Sequence, residues 1–248
     1  MTPFAIAAAQ VASYCEEIEL NIETHVAAAL VAAEQHVSVL IFPELSLTGY
    51  EPELAEALAF HVNDSRLNAL SLIAARHGMT IVAGAPVQSG TPRPWLASIV
   101  FHPDGQRTCY SKMHLGSEEP IFFEPGSCPA TIETAGIKTG LAICADSSRE
   151  SHPAWYRQHG CTVYAASVFL TEPWYLGDTP RLQRYAQRHE MLVVMANHGH
   201  SEGTLRSCGR STIWLPDGTV GLKTDDTTPC LQIANRAARD WSLRRIDL

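Results

Sequence analysis

Apolar residues make up 46% of this 248-residue chain and charged residues 18%, the latter below the roughly 25% of an average globular protein. That balance leaves ample apolar surface to offset chain entropy and excludes a disordered or low-complexity protein. No apolar run approaches the roughly 20 residues that span a bilayer, and a formal net charge of −8 disfavours nucleic acid, whose phosphates call for a basic surface.

Phe4 to Gln10 reads as the first strand; with no Lys or Arg before Arg66, the N-terminal segment lacks the charged start of a signal peptide. Ile22, Val26, Ala29, Leu30 and Ala33 then recur at helical spacing. Val37 to Phe42 is a continuous apolar run, as expected of a strand covered on both faces. Leu67, Leu70 and Ile73 mark a second helix, opened by Asp64 or Ser65 and stopped by Gly78. Thr80 to Val87 is another buried strand. Asp104-Gly105 and Asp217-Gly218 each sit between strand-forming segments and predict hairpins. Ile137 to Cys144, Cys161 to Phe169 and Met191 to Ala196 are further strands, with helices near 152–159 and 181–189 between them. Buried strands interleaved with helices, plus antiparallel hairpins, predict a layered α/β fold with mixed sheets. Seven cysteines, scattered without a CxxC, point to reduced thiols and a cytoplasmic location.

Several chemistries fail on inspection. None of the three lysines, Lys112, Lys138 and Lys223, follows a glycine, so there is no phosphate-binding P-loop. No GxGxxG follows a strand, so the usual dinucleotide fingerprint is absent. His198 and His200, with Cys208 nearby, form a lone cluster, and turn or pocket-rim histidines are the better reading than metal ligands.

Three segments each place a chemically apt residue at a strand end. Glu44 follows the apolar run directly; partial burial there raises a carboxyl group into the range useful for proton transfer, though a loop cap fits as well. Lys112, after the Asp104-Gly105 hairpin, is either functional or a solvated strand terminus. Cys144 ends the run Gly140-Leu141-Ala142-Ile143 and suits a nucleophile on a tight strand-to-helix turn, or a buried inert core thiol.

Taken together, in the order Glu44, Lys112, Cys144, these segments resemble the nitrilase-type carbon–nitrogen hydrolases. The segment Glu119-Pro120-Ile121-Phe122-Phe123-Glu124-Pro125-Gly126 is similar to that family's second glutamate followed by an aromatic pair and Pro-Gly. Glu118 competes for the assignment, and counting back from Gly126 favours Glu119. Ala196-Asn197-His198 and Gly209-Arg210-Ser211 match later landmarks, so the likeness runs from Phe4 to about Ile233. Two departures follow the cysteine. Ala145 and Asp146 stand where nitrile-cleaving members typically have Trp-Glu, which disfavours nitrile hydrolysis, and the arginine after the nucleophile is shifted to Arg149.

The resemblance implies a single carbon–nitrogen hydrolase domain over residues 1–248, folded as a four-layer α-β-β-α sandwich and paired as a homodimer or a multiple of it. It implies a thiol hydrolase cleaving an amide or N-carbamoyl bond of a small molecule, with no cofactor, no metal, no nucleic acid and no membrane. Cys144 would be the nucleophile, Glu44 the base and Lys112 the oxyanion stabiliser, joined by the backbone N–H of Ala145. Glu119 would hold Lys112 and orient the substrate's nitrogen side. Tyr50, Phe169 and Trp174 are expected around the substrate, as are Phe122 and Phe123 if they are not core. Arg149 is expected to meet a substrate carboxylate, or else to pair with Glu150 in solvent. An acyltransferase that passes the thioester to an amine, and a non-catalytic binding module on the same scaffold, are the alternatives.

Overall fold

The computed structural model describes residues 3–203, 205–238 and 240–248. Its elements in chain order are β1 (Phe4–Gln10), α1 (Ile18–Glu34), β2 (Val39–Ile41), α2 (Asn68–His77), β3 (Thr80–Val87), β4 (Trp95–Phe101), β5 (Arg107–Ser111), β6 (Thr131–Thr134), β7 (Ile137–Ile143), α3 (Ser151–Gln158), β8 (Val163–Ser167), α4 (Glu172–His189), β9 (Leu192–Ala196), β10 (Thr212–Trp214), β11 (Val220–Lys223), β12 (Cys230–Ala237) and β13 (Asp240–Asp247).

The strands form two sheets, ordered β13-β12-β1-β2-β3-β4-β5 and β11-β10-β9-β8-β7-β6. Each has a parallel centre, β1-β2-β3 and β7-β8-β9, flanked by antiparallel strands. The two-residue period of a strand sends alternate side chains to opposite faces, and in the central strands both faces are covered. Ile6, Val39, Ile41 and Val82 of the first sheet pack with Leu141, Ile143, Val163 and Val194 of the second in a core between the sheets. The outer face of the first sheet carries Ala5, Ala7, Leu40 and Ile81, packed with Ala28, Ala29 and Ala32 of α1 and Leu70 and Ile73 of α2. Ala142, Tyr164 and Val193 on the outer face of the second pack with Tyr156 of α3 and Leu182, Tyr185 and Ala186 of α4. The result is the expected α-β-β-α sandwich, and its double coverage explains why runs such as Val37 to Phe42 are apolar without alternation.

Local signals set most boundaries. The Asp64 side chain accepts from Arg66 N in the turn that leads into α2, and Gly78 ends that helix at φ +63°. Both predicted Asp-Gly hairpins form, β4–β5 and β10–β11. Two features depart from expectation. Helix α4 begins at Glu172, well before the expected 181, with Pro173 in its first turn and Pro180 inside it. A first-turn proline gives up only an N–H that has no intrahelical partner, while Tyr175 and Leu182 anchor either side of Pro180 in the core. The β12–β13 hairpin, which extends the first sheet beyond β1, carried no turn signal that the sequence reading recognised.

Candidate active site

Five chain segments leave the two sheets at one end, where the carboxyl ends of parallel strands conventionally hold ligands. Glu44 follows β2 on a turn in which Leu45 has φ +51°. That turn crosses β3 at Gly84, where any Cβ would fall against Pro43 O and Leu45 N. His198, after β9, fixes the turn from the other side: its Nε2–H donates to the Glu44 carbonyl at 2.6 Å, and the Ser13 hydroxyl donates to its Nδ1 at 2.6 Å. Full burial pushes His198 down to about 4 and keeps it neutral. The histidine considered for metal binding is thus a brace for the Glu44 loop, and among the described residues no group of three or more His, Cys, Asp or Glu is arranged to hold a metal ion.

Lys112 directly follows β5 and is fully buried. Its Nζ donates to Glu44 Oε1 at 2.6 Å and to Glu119 Oε1 at 2.8 Å. Glu119 opens a short 3-10 turn, Glu119–Ile121, where its Oε1 also accepts from Tyr50 OH at 3.0 Å and its Oε2 from Gly116 N at 2.6 Å. Glu118 is exposed, and Glu119 is the one of the two that bonds Lys112. One ammonium between two carboxylates leaves an excess of negative charge out of water. Burial, with Glu119 adding to it, raises Glu44 to about 7 against the opposing pull of Lys112. Burial alone would lower Lys112, but Glu44, Cys144 and Glu119 outweigh it and hold the ammonium well above its usual range.

Cys144 directly follows β7 and begins the 3-10 turn Cys144–Ser148, with φ +40°. A non-glycine residue in that region is held against its preference by its surroundings. Asp146, fully buried, supplies the restraint: its Oδ2 accepts from Ile143 N at 2.9 Å and Tyr110 OH at 2.7 Å, and its Oδ1 from Met113 N at 3.0 Å and His114 N at 2.8 Å. Burial and the Glu44 carboxylate push the Cys144 thiol well up, with Lys112 opposing them. The resting thiol therefore keeps its proton and needs a base as it attacks.

A cavity of about 510 Å³ opens onto this group, walled among others by Lys112, Glu119, Cys144, Ala145, Tyr50, Phe122, Phe169 and Trp174. Glu44 sits behind that wall, with its Oε2 accepting from Phe169 N at 3.1 Å. Phe169 stacks on Tyr50 with ring centroids 4.6 Å apart, and Trp174 is exposed at the rim. Phe123 belongs to the core between the sheets. Arg149 corrects the sequence reading: it is exposed and lines a separate recess with Met113, His114 and Leu115. The 3-10 turn ends at Ser148, and Arg149 leaves it in extended conformation, which carries its side chain away from the cavity. Nor does it pair with Glu150, which meets Arg188 and His189. Sequence reasoning missed Asp178 and Arg181, one turn apart on α4 and both in the cavity wall, because the prolines and glycine of that segment hid the start of the helix.

An α-β-β-α sandwich with a cysteine, a lysine and two carboxylates gathered at its strand ends is the arrangement that the carbon–nitrogen hydrolase resemblance implies. The chain belongs to the carbon–nitrogen hydrolase family, which it matches over residues 5–245. It is 29% identical over 196 residues to the 2-oxoglutaramate amidase of Bacillus subtilis (strain 168), covering 75% of this chain and 73% of that one. To the nitrilase of Pyrococcus abyssi (strain GE5 / Orsay) it is 27% identical over 223 residues, covering 88% and 79%. Its fold superposes on a mutant of the Nesterenkonia AN1 amidase from the nitrilase superfamily with a TM-score of 0.84 at 22% identity, covering 96% of this chain and 92% of that one. Another structure of that amidase, with a TM-score of 0.82, 22% identity and coverage of 93% and 92%, shows Michael addition of acrylamide at its active site cysteine.

Proposed function

We propose that this protein hydrolyses the amide bond of a small linear amide or N-carbamoyl compound through a thioester on Cys144. The observation that carries the reading is the buried Lys112 ammonium, bonded to both Glu44 and Glu119 beside the cavity onto which Cys144 opens. Cys144 Sγ attacks the amide carbonyl carbon while Glu44 takes the thiol proton. The carbonyl oxygen becomes an oxyanion, met by the Lys112 ammonium and the Ala145 N–H; losing one such donor typically costs about 3–4 kcal/mol. Glu44 returns the proton to the nitrogen, the C–N bond breaks, and ammonia or an amine leaves. Water then attacks the thioester, giving its proton to Glu44, and the acid departs as the thiol is restored. Glu119 holds Lys112 in place and faces the leaving nitrogen. A base raised to about 7 suits this role, since it accepts and returns a proton near neutral pH.

The reading favours amides over nitriles because Ala145 and Asp146 replace the Trp-Glu typical of nitrile-cleaving members. The name of the Bacillus subtilis relative, an amidase, supports the same choice. An ammonia-release screen across ω-amides, N-carbamoyl amino acids, short aliphatic amides and nitriles tests it, with Cys144→Ala as control. The expected result is release from an amide or carbamoyl compound that disappears in Cys144→Ala while circular dichroism is unchanged. Full activity in Cys144→Ala would end the mechanism.

A further inference from the structure

The recess that Arg149 lines has a volume of about 440 Å³ and shares no wall residue with the cavity of Cys144. That volume lies within the range of small-molecule sites. Arg149, His114 and Arg93 bring its polar groups, and Met113, Leu115 and Phe123 much of its apolar wall. The wall is held from behind. Met113 N and His114 N donate to the buried Asp146 carboxylate at 3.0 and 2.8 Å, and Phe123 is part of the core between the sheets. The His114 ring packs edge-on against His152, with centroids 5.9 Å apart. Charge decides what such a recess can take. Arg93 is neutralised, because its Nε and Nη2 donate to Glu124 Oε1 at 3.0 and 2.7 Å and its Nη1 donates to Pro120 O. Arg149 is not. Its neighbour Glu150 is taken by Arg188 and His189, and no other carboxylate pairs with Arg149 among the described residues. No carboxylate lines the recess either, so it carries one uncompensated positive charge on a fork of donors beside an apolar wall.

We propose that this recess is a second ligand site, separate from the reaction cavity, that takes a small organic monocarboxylate. The carboxylate meets the Arg149 guanidinium, with His114 beside it, and the apolar body of the acid lies against Met113, Leu115 and Phe123. A single net charge matches a monoanion. The apolar wall favours an organic acid over inorganic phosphate, which would leave that surface in water. The site does not depend on the hydrolase reading, and either can fail without the other.

Met113 supplies a local reporter, because Met79, Met191 and Met195 are buried in the cores and no methionine lines the cavity of Cys144. The protein labelled with methyl-13C methionine is titrated by NMR with benzoate, with neutral benzyl alcohol and with inorganic phosphate, all at one ionic strength. Benzoate should move the Met113 methyl signal saturably, the signal being assigned by its loss in Met113→Leu, while those of Met79, Met191 and Met195 stay in place. Benzyl alcohol should bind tenfold or more weakly, and phosphate at equal concentration should not displace benzoate. Arg149→Gln should raise the dissociation constant for benzoate tenfold or more, with Arg149→Lys, which keeps the charge without the fork, in between. A Met113 signal indifferent to benzoate, equal binding of benzyl alcohol, displacement by phosphate, or benzoate affinity unchanged in both Arg149 variants would each overturn the proposal.

Discussion

The backbone N–H of His114 donates to the carboxylate of Asp146 at 2.8 Å, so the segment that carries Lys112 and the turn that carries Cys144 hang from one buried side chain. The same carboxylate holds Ile143 N, Met113 N and Tyr110 OH. Four donors on two chain segments thus depend on a single anion.

Asp146→Ala should leave those donors buried without an acceptor. With about 1–3 kcal/mol at stake for each unsatisfied group, and the losses not additive, a total near 4 kcal/mol is expected from urea unfolding. Asp146→Asn, which keeps the shape but replaces one acceptor oxygen with donors, should lose less stability and reduce kcat more than it raises KM. Parental stability in Asp146→Ala would mean that other groups hold the two segments together.

A pH profile probes the base directly. With Glu44 raised to about 7 by burial, its ionised form should grow through neutral pH. The logarithm of kcat/KM should climb with a slope of about one below pH 7 and level off above it. Glu44→Gln should slow turnover and remove that limb, whereas the same limb in Glu44→Gln would assign it to another group.

Stability should depend on pH through two buried histidines. His198 braces Glu44, and His25 contacts Ser46 Oγ through Nε2 at 2.8 Å; burial lowers each from 6.5 to about 4. Between those values the unfolded chain binds protons that the folded one refuses, so this stability is present above 6.5 and lost as pH falls through 4. Glu44, raised from 4.5 to about 7, acts with opposite sign: the folded state holds its proton more tightly, and stability is gained as pH falls through that window. Two histidines outweigh one carboxyl group, for a net loss of about 3 kcal/mol between pH 7 and 4. Urea midpoints across that range measure it, and a flat profile would contradict the assignment.

Gly84 should not tolerate a side chain. A Cβ there would fall against Pro43 O and Leu45 N, backbone atoms with no flexible end to yield. Gly84→Ala should cost about 1–3 kcal/mol by overpacking and lower activity by displacing Glu44. Thermal unfolding and turnover measured on the same preparation check both, and a fully active, stable variant would refute the close crossing.

The amino-acid order alone determined the elements whose signals are local. β1 and β3 run over the residues their patterns predict, Gly78 closes α2, and the two Asp-Gly turns make hairpins. Glu44, Lys112 and Cys144 were legible because each falls at a predicted strand end, and a strand end is a position in sequence before it is a position in space. The direction in which a loop residue points was not legible, since nothing local distinguishes Arg149, which faces away from the cavity, from Arg181, which lines it. Propensity also argued against the first half of α4, where Pro173, Gly177 and Pro180 fall. That helix is held by packing of Tyr175 and Leu182 onto the second sheet, a contact that exists only after folding. Likewise Asp146 read as an ordinary polar residue after a cysteine. Only the tertiary structure brings Tyr110, Met113 and His114 to its carboxylate from more than 30 residues away, and so only the fold decides that a buried charge is satisfied and the nucleophile's turn is held.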